Sequence, residues 1–336
     1  MIRLKDVASY CGVSIATVSK ALNGMPGIGE ATAKRVWQAA QDMGYLPNAA
    51  ARALRTRRTH NIGVLLFLRE VSPTAHEYVS RILSGIQEEA ERNRYDITLI
   101  SRFVIDTMGS YVNHCRSRSY DGLIVMSGTY DEPTLMGLID SEIPLVTIDA
   151  HFERRSGVLS DNLGGMRELV EHIVKMGHRR IAFIHGEKTR VTNDRIISYL
   201  DTLEQAGILT PPEYLRPALF HDPQTSAEQT EALLALPQLP TCILYPDDFS
   251  LLGGKTVLEQ RGLRVPEDIS IAGYDGILMS QVMNPKICTL QQDAGGIGRS
   301  AMQLLRSAIE DPLGCTPQCL VLPGRLLPGE SVANIA

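Results

Sequence analysis

The chain has 336 residues, enough for two or three domains that each bury a core, and its formal net charge is −5. That figure conceals an asymmetry: residues 1–60 carry nine Lys and Arg against three Asp and Glu, or +6, and the remaining residues carry 24 against 35, or −11. A basic head on an acidic body confines any polyanion binding to the head, although an ordinary solvated imbalance would give the same sums. The start, MIRLKDVASYCGV, has no signal-peptide core and no apolar run approaches membrane length, so the expected location is the cytoplasm and no membrane partner is expected. Six cysteines, Cys11, Cys115, Cys242, Cys288, Cys315 and Cys319, fall without CxxC pairs or histidines at zinc spacing, which predicts small buried hydrophobes and no metal site.

In the head, Leu4, Val7, Ala8 and Cys11 recur at helical spacing. Gly12 permits a tight turn, and Ser14 can cap a second helix whose apolar face is Val18, Ala21 and Leu22. Two short helices around such a turn form a helix-turn-helix. The second helix then exposes Ser14, Ile15, Ala16, Thr17, Ser19 and Lys20, small, hydroxylated and basic side chains suited to a major groove. Spacing alone also fits a plain helical hairpin with a polar outer face. A third amphipathic helix is predicted over about 31–43, with Val36, Trp37, Ala40 and Met43 inward and Gly44 as its stop.

The stretch from Tyr45 to Arg58 contains Pro47, then Asn48 as a helix cap, then an alanine-rich segment with Arg52, Leu54, Arg55, Arg57 and Arg58. A helix of about two turns is too short to persist alone in water and needs a surface to fold against. DNA is one such surface, with the arginines on phosphates and Leu54 as a minor-groove wedge, while composition alone leaves a solvated basic linker open.

From Asn61 onward apolar runs alternate with amphipathic stretches. IGVLLFL, a helix near 78–94, DITLI, a helix near 107–118, DGLIVM, a short helix and PLVTID make one set. RRIAFIHG, a helix near 194–206, TCILYPDD, a helix near 249–261 and ISIAGYD make another. Both read as parallel sheets covered by helices, hence a two-lobed α/β body. Ligands of open α/β sheets bind beyond the carboxyl ends of strands. Asp149, Asp247, Asp248 and Asp275 stand at such ends, and Arg195 begins a helix after IAFIHG. Carboxylates converging with an arginine suit a neutral polyhydroxyl ligand. The competing reading is that some of these aspartates merely cap helices, Asp248 above all.

The runs LKDVASYCGVSIATVSKALNG and GYLPNAAARALR resemble the headpiece and hinge helix of the lactose-repressor/galactose-repressor family of bacterial transcriptional regulators, and the likeness extends through nearly the whole chain. The resemblance implies an all-α helix-turn-helix headpiece (1–45), a hinge helix and linker (46–58), and a periplasmic-binding-protein-like core of two doubly wound parallel sheets (59–336). Within the core it implies an N-lobe of about 59–160 and 291–325 and a C-lobe of about 161–290. It places Ile15, Ala16 and Lys20 at base-reading positions, Ser14, Thr17 and Ser19 near phosphates, and Leu54 at an intercalating position. Asn48, Arg52 and Arg55 belong to the same DNA-binding hinge. It assigns Asp149, Arg195, Asp247, Phe249 and Asp275 to the effector, with His221 and Asp222 near another pocket position. Asp161-Asn162 and Gln291-Gln292-Asp293 become crossings between the lobes. Departures from the family pattern are Gly29 and Ala33 in the head, Ala75 and His76 in SPTAHEY, and Gly329 near the end.

The expected function is therefore a homodimeric repressor on a pseudo-palindromic double-stranded DNA operator, controlled by a small-molecule effector, a sugar or sugar derivative, with no cofactor. The alternatives are control by a nucleoside or by a phosphocarrier protein corepressor, and, more remotely, a stand-alone sugar-binding protein. No GxSxG, P-loop, GxGxxG or HExxH occurs, so no enzyme is expected. The ending GRLLPGESVANIA carries no heptad helix, from which a dimer rather than a tetramer is expected.

Overall fold

The computed structural model describes residues 2–22, 25–45, 58–67, 76–100, 105, 108–127 and 132–336. Asn48, Arg52, Leu54 and Arg55 of the expected hinge helix, and Ala75, lie outside the described residues. The chain forms two compact units, Met1–His60 and Asn61–Ala336.

In the first unit, helices α1 (Leu4–Cys11), α2 (Ile15–Leu22) and α3 (Glu30–Asp42) enclose a core of valines and alanines centred on Val7, Val18 and Val36. The Asp6 carboxylate accepts from the Arg3 N–H at 2.8 Å and secures the start of α1. Gly12 ends it in the left-handed region at φ 63°, where a Cβ would be unfavourable. Ser14 Oγ accepts from the Thr17 N–H at 3.0 Å and caps α2, as its position before the apolar spacing predicts. Trp37 does not turn inward: it is 46% exposed, because α3 buries Val36, Ala39 and Ala40 and residue 37 lies about 100° round from Val36. A core made of such small side chains is a thin reserve for a head this size.

The second unit begins with β1 (Asn61–Phe67), α4 (Glu77–Arg92), β2 (Asp96–Ile100), α5 (Tyr111–Arg118), β3 (Gly122–Ser127), α6 (Pro133–Ile139), β4 (Leu145–Ile148) and β5 (Ser156–Ser160). It continues with α7 (Asn162–Lys175), β6 (Ile181–His185), α8 (Arg190–Gln205), β7 (Leu215–Pro217), α9 (Pro223–Leu234), β8 (Cys242–Leu244), α10 (Leu251–Gln260), β9 (Ser270–Asp275), α11 (Leu278–Val282) and β10 (Cys288–Gln291). Last come α12 (Ala294–Glu310), β11 (Cys319–Leu322) and β12 (Arg325–Leu327). The N-lobe sheet runs β11-β5-β4-β3-β1-β2 and the C-lobe sheet β12-β10-β9-β8-β6-β7.

Within each sheet alternate residues face opposite cores, so both faces are buried and the strands read as continuous apolar runs. Ile62, Val64, Ile124 and Val146 pack on the α4 and α12 side, and Leu65, Leu123, Val125 and Leu145 on the other. Helices α4 and α12 touch backbone to backbone: a Cβ on Gly85 would lie 2.2 Å from the Gly295 oxygen, and one on Gly298 2.1 Å from the Ile82 oxygen. All pairings are parallel except β10 with β12, an antiparallel edge strand. Strands β5, β7, β10, β11 and β12 escape the apolar pattern although β4 and β8 are as short, because most of them mix polar residues into the run, as in SGVLS, LRP, CTLQ and RLL. Three of the six cysteines, Cys115, Cys242 and Cys288, are buried as expected, Cys11 and Cys315 are half-buried and Cys319 is exposed.

The chain passes between lobes at 160–162, at 291–294 and, unanticipated, at 322–325, so that Arg325, expected at the end of the N-lobe, already stands in the C-lobe sheet. The final segment then packs on the C-lobe, where Ser331 Oγ donates to the Ile271 oxygen at 2.6 Å and accepts from the Cys288 N–H at 2.8 Å. This contact explains Gly329. Its φ is +53°, and a Cβ there would lie 2.5 Å from the Ile287 carbonyl carbon and 2.6 Å from the Cys288 nitrogen. Gly329→Ala is expected to cost about 1–3 kcal/mol and lower the melting temperature of the full chain by several degrees; an unchanged melting curve would mean that the tail does not hold this position.

A candidate effector cleft and the headpiece surface

The polar residues of the cleft stand where strands end. Asp149 follows β4, Asp247 follows β8 by three residues, and Asp275 closes β9. Asp149 and Asp275 both have positive φ, 60° and 99°, and so does His221 at 55°. Such conformations in non-glycine residues cost about 1–3 kcal/mol each and persist only where the surroundings over-determine them.

What over-determines them is a buried charge network. Arg195 sits in the second turn of α8, which starts at Arg190 under a Thr189 cap, four residues earlier than the apolar pattern suggests. Only 4% of Arg195 is exposed. Its Nε donates to Asn162 Oδ1 at 2.8 Å and its Nη1 to the Pro246 oxygen at 2.9 Å, while the guanidinium carbon lies 3.5 Å from the Tyr274 ring centre. Asn162 in turn donates from Nδ2 to the Ser160 oxygen at 3.2 Å. Asp149 and Asp275 share the field of this arginine. Burial pushes the Asp149 carboxyl up to about 6, with Arg195 pulling it down and Asp275 pushing it further up. Asp275 is also raised, by burial first and then by the negative charge of Asp247, and Gln292 Nε2 donates to its Oδ1 at 2.6 Å.

The capping expected of Asp248 falls to Asp247, which holds the turn leading into α10: its Oδ1 accepts from the N–H groups of Phe249 and Ser250 at 3.0 and 2.8 Å. Its Oδ2 accepts from the His221 N–H and from Ser250 Oγ, both at 2.8 Å. Asp248 is not a helix cap. Buried beneath β9, it accepts from the Ile277 N–H at 3.0 Å and so fixes the loop after Asp275.

From the N-lobe, His76 at the head of α4 reaches across to His221, ring centres 4.1 Å apart, with the Phe249 ring edge-on at 6.2 Å. Beside it the Glu77 carboxylate accepts from the Leu278 N–H at 2.8 and 2.9 Å, and Arg81 Nη1 donates to the Gly276 oxygen at 3.4 Å. Between these contacts lies a cavity of about 210 Å³, lined by His76, Tyr78, His221, Phe249 and Asp275 among others. Phe249 and Asp275 thus face the cavity directly, whereas Asp149, Arg195 and Asp247 are not among its lining residues. Burial, followed by the neighbouring His221, lowers the His76 imidazole to about 4, against the pull of Asp247.

Sequence reasoning missed Asn162 and Gln292 as groups that position charge, Tyr274 as the platform for Arg195, and Glu77 as a clasp. Asn162 and Gln292 were legible only as crossing residues. Their amides could have been recognised as partners for whatever charge the crossings pass.

On the headpiece, Ser14, Ile15, Ala16 and Lys20 are exposed on α2, with Ile15 53% accessible, and Thr17 and Ser19 are half-buried beside them. Ser14 Oγ is engaged by the Thr17 N–H and lies 2.9 Å from Thr17 Oγ1. The four candidate hinge residues Asn48, Arg52, Leu54 and Arg55 lie outside the described residues.

Residues 3–48 match the family of bacterial regulatory proteins, lacI family, and residues 170–332 match the periplasmic binding protein-like domain. The chain is 33% identical over 316 residues to the probable HTH-type transcriptional repressor ExuR of Bacillus subtilis strain 168, covering 93% of each protein. The chain belongs to the LacI family. The PurR repressor of Actinobacillus pleuropneumoniae serotype 3 is 29% identical over 343 residues, covering 100% of this chain and 99% of PurR. Among solved structures, the lac repressor dimer bound to operator and the anti-inducer ONPF superimposes with a TM-score of 0.82 at 24% identity over 99% of both chains and shares the fold. The transcriptional regulator CelR in complex with cellobiose gives 0.74 at 26% identity, over 98% of this chain and 100% of CelR. As a LacI-family member the protein is an effector-controlled, DNA-binding transcriptional repressor and not an enzyme. Among the described residues no helix is long and apolar enough to cross a membrane.

Two experiments test the cleft of this LacI-family protein. Gln292→Ala leaves a buried carboxylate oxygen without its donor and is expected to cost about 1–3 kcal/mol in urea unfolding. The pH dependence has two opposed parts. His76 is depressed, so its contribution to stability is full above about 6.5 and is lost as pH falls towards about 4. Asp149 is raised, so its contribution is present below about 3.8 and is lost as pH rises through about 6. Because the two windows overlap with opposite signs, calorimetry between about pH 4 and 6.5 should find that His76→Gln makes stability fall more steeply as pH rises and Asp149→Asn makes it fall more steeply as pH drops. Unaltered slopes in both variants would contradict the burial of these groups.

Proposed function

We propose that the effector of this repressor binds between the two lobes, with Asp149, Arg195 and Asp275 as polar contacts and Phe249 as an apolar wall, and that Asp247 acts by fixing His221 and Phe249. The observation that carries this reading is the buried Arg195, held by Asn162 from one crossing and flanked by Asp275, which Gln292 holds from another. A ligand that alters this network acts on two of the three segments that join the lobes, which is how differential affinity becomes a shift between two states. A carbohydrate suits carboxylates that accept hydroxyl protons beside a guanidinium that donates to oxygens. The similarity to CelR, solved with cellobiose, supports the same class.

The working division is a headpiece over 1–45, a hinge over 46–58 and an effector-binding, dimerising body over 59–336. In a homodimer two headpieces would read the halves of a pseudo-palindromic operator, with Ile15, Ala16 and Lys20 at base edges and Ser14, Thr17 and Ser19 at phosphates. Asn48 would cap the hinge helix, Arg52 and Arg55 would meet phosphates, and paired Leu54 side chains would wedge the central step. Such a protein works in the cytoplasm, on the nucleoid.

The full chain should select a pseudo-palindromic site from random duplex DNA. On that site Leu54→Ala is expected to lower affinity at least about tenfold while leaving random-DNA affinity within about twofold, read by fluorescence anisotropy at fixed salt. Equal losses on both DNAs would refute the wedge.

A further inference from the structure

The charge and size of the cleft narrow the effector further, on the reading that a small molecule binds there. Among the described residues, the carboxylates of Glu77 and Asp275 line the cavity and those of Asp149 and Asp247 stand near it, against the guanidiniums of Arg195 and of Arg81, which is held on the Gly276 oxygen. Two of the Arg195 guanidinium's five N–H groups are held, Nε by Asn162 and one on Nη1 by the Pro246 carbonyl, and its face lies on Tyr274. It is also the counter-charge that Asp149 and Asp275 share. An entering carboxylate or phosphate would therefore approach a wall that holds Asp275 and Glu77, and a low-dielectric cleft strengthens that repulsion. A hydroxyl meets no such barrier, since it carries no charge and can donate its proton to a carboxylate, which an anionic group cannot. An ammonium group would be attracted.

Size adds a second limit. The cavity of about 210 Å³ falls below the roughly 300–1,000 Å³ of pockets that take drug-sized ligands. It is bounded across the lobes by the His76–His221 contact and by the Glu77 clasp on Leu278, which leave room for about one ring between them. The rings of His76, Tyr78, His221 and Phe249 supply flat walls for the carbon-bound hydrogens of one sugar ring.

We propose that the effector is a single-ring polyhydroxyl compound bearing no negative charge, a neutral monosaccharide or its amino derivative.

The test uses the full chain at about pH 7.5 in thermal-shift and calorimetric titrations. The probes are D-glucose, D-galactose and D-xylose, the uronates and 2-amino derivatives of the two hexoses, their 6-phosphates, cellobiose and adenosine. A neutral or amino monosaccharide should raise the melting temperature, and the matching uronate should bind at least about 100-fold more weakly. In Asp275→Asn, checked for folding by circular dichroism, that gap should narrow to about tenfold or less, with Asp149→Asn as the second variant if the first is unfolded. A uronate or sugar phosphate that binds as tightly as its neutral parent overturns the charge limit, and cellobiose or adenosine binding more tightly than every monosaccharide overturns the size limit. Either result leaves the small-molecule reading intact. Silence from every probe counts against that reading and the proposal together.

Discussion

A guanidinium buried where two lobes meet constrains everything around it. A charge removed from water must be paid for by partners of fixed geometry. Arg195 finds them in Asn162, the Pro246 carbonyl, the Tyr274 face and the nearby Asp149 and Asp275. These partners come from four segments: the first crossing, the loop after β8, the strand β9, which supplies both Tyr274 and Asp275, and the loop after β4. Their positions therefore cannot be chosen independently. The positive φ angles of Asp149 and Asp275 are one consequence, because those backbones turn to aim carboxyl groups at a site that strand geometry alone would not reach.

The doubling of function at the crossings is the second consequence. Asn162 and Gln292 are chain segments between lobes and also hydrogen-bond partners of the charged residues. A change in what Arg195 or Asp275 contacts is felt directly by the backbone that must bend. No chain of intermediate residues is needed, and the coupling is a property of two amides.

Much of this architecture is legible in the amino-acid sequence. The period of the apolar residues marks the helices of the head, and unbroken apolar runs such as IGVLLFL and TCILYP mark the main strands of both lobes. The aspartates stand out because they follow apolar runs, a signal of position rather than of chemistry. That signal cannot separate Asp247 from Asp248, which are neighbours at one strand end and differ only in which backbone N–H groups they meet. Periodicity also places Trp37 inside, because an aromatic at nearly the right phase outweighs a phase error of one residue. It cannot register β12, whose three residues show no alternation and which runs antiparallel because the chain has just crossed back. The histidine at position 76 stands out as a departure from the family pattern, and only the fold explains it, by setting His221 opposite.

The third passage between lobes has a mechanical meaning. Two connecting strands define a line about which one body can swing but also twist. A third, with Asp161 N–H donating to the Leu322 oxygen at 2.8 Å and Arg325 Nη2 to Gln291 Oε1 at 3.0 Å, ties the strands into a narrow ribbon. Ribbons flex readily across their thin dimension and resist shear in their plane. A connection of that shape favours opening and closing of the lobes over twisting or sliding of one past the other.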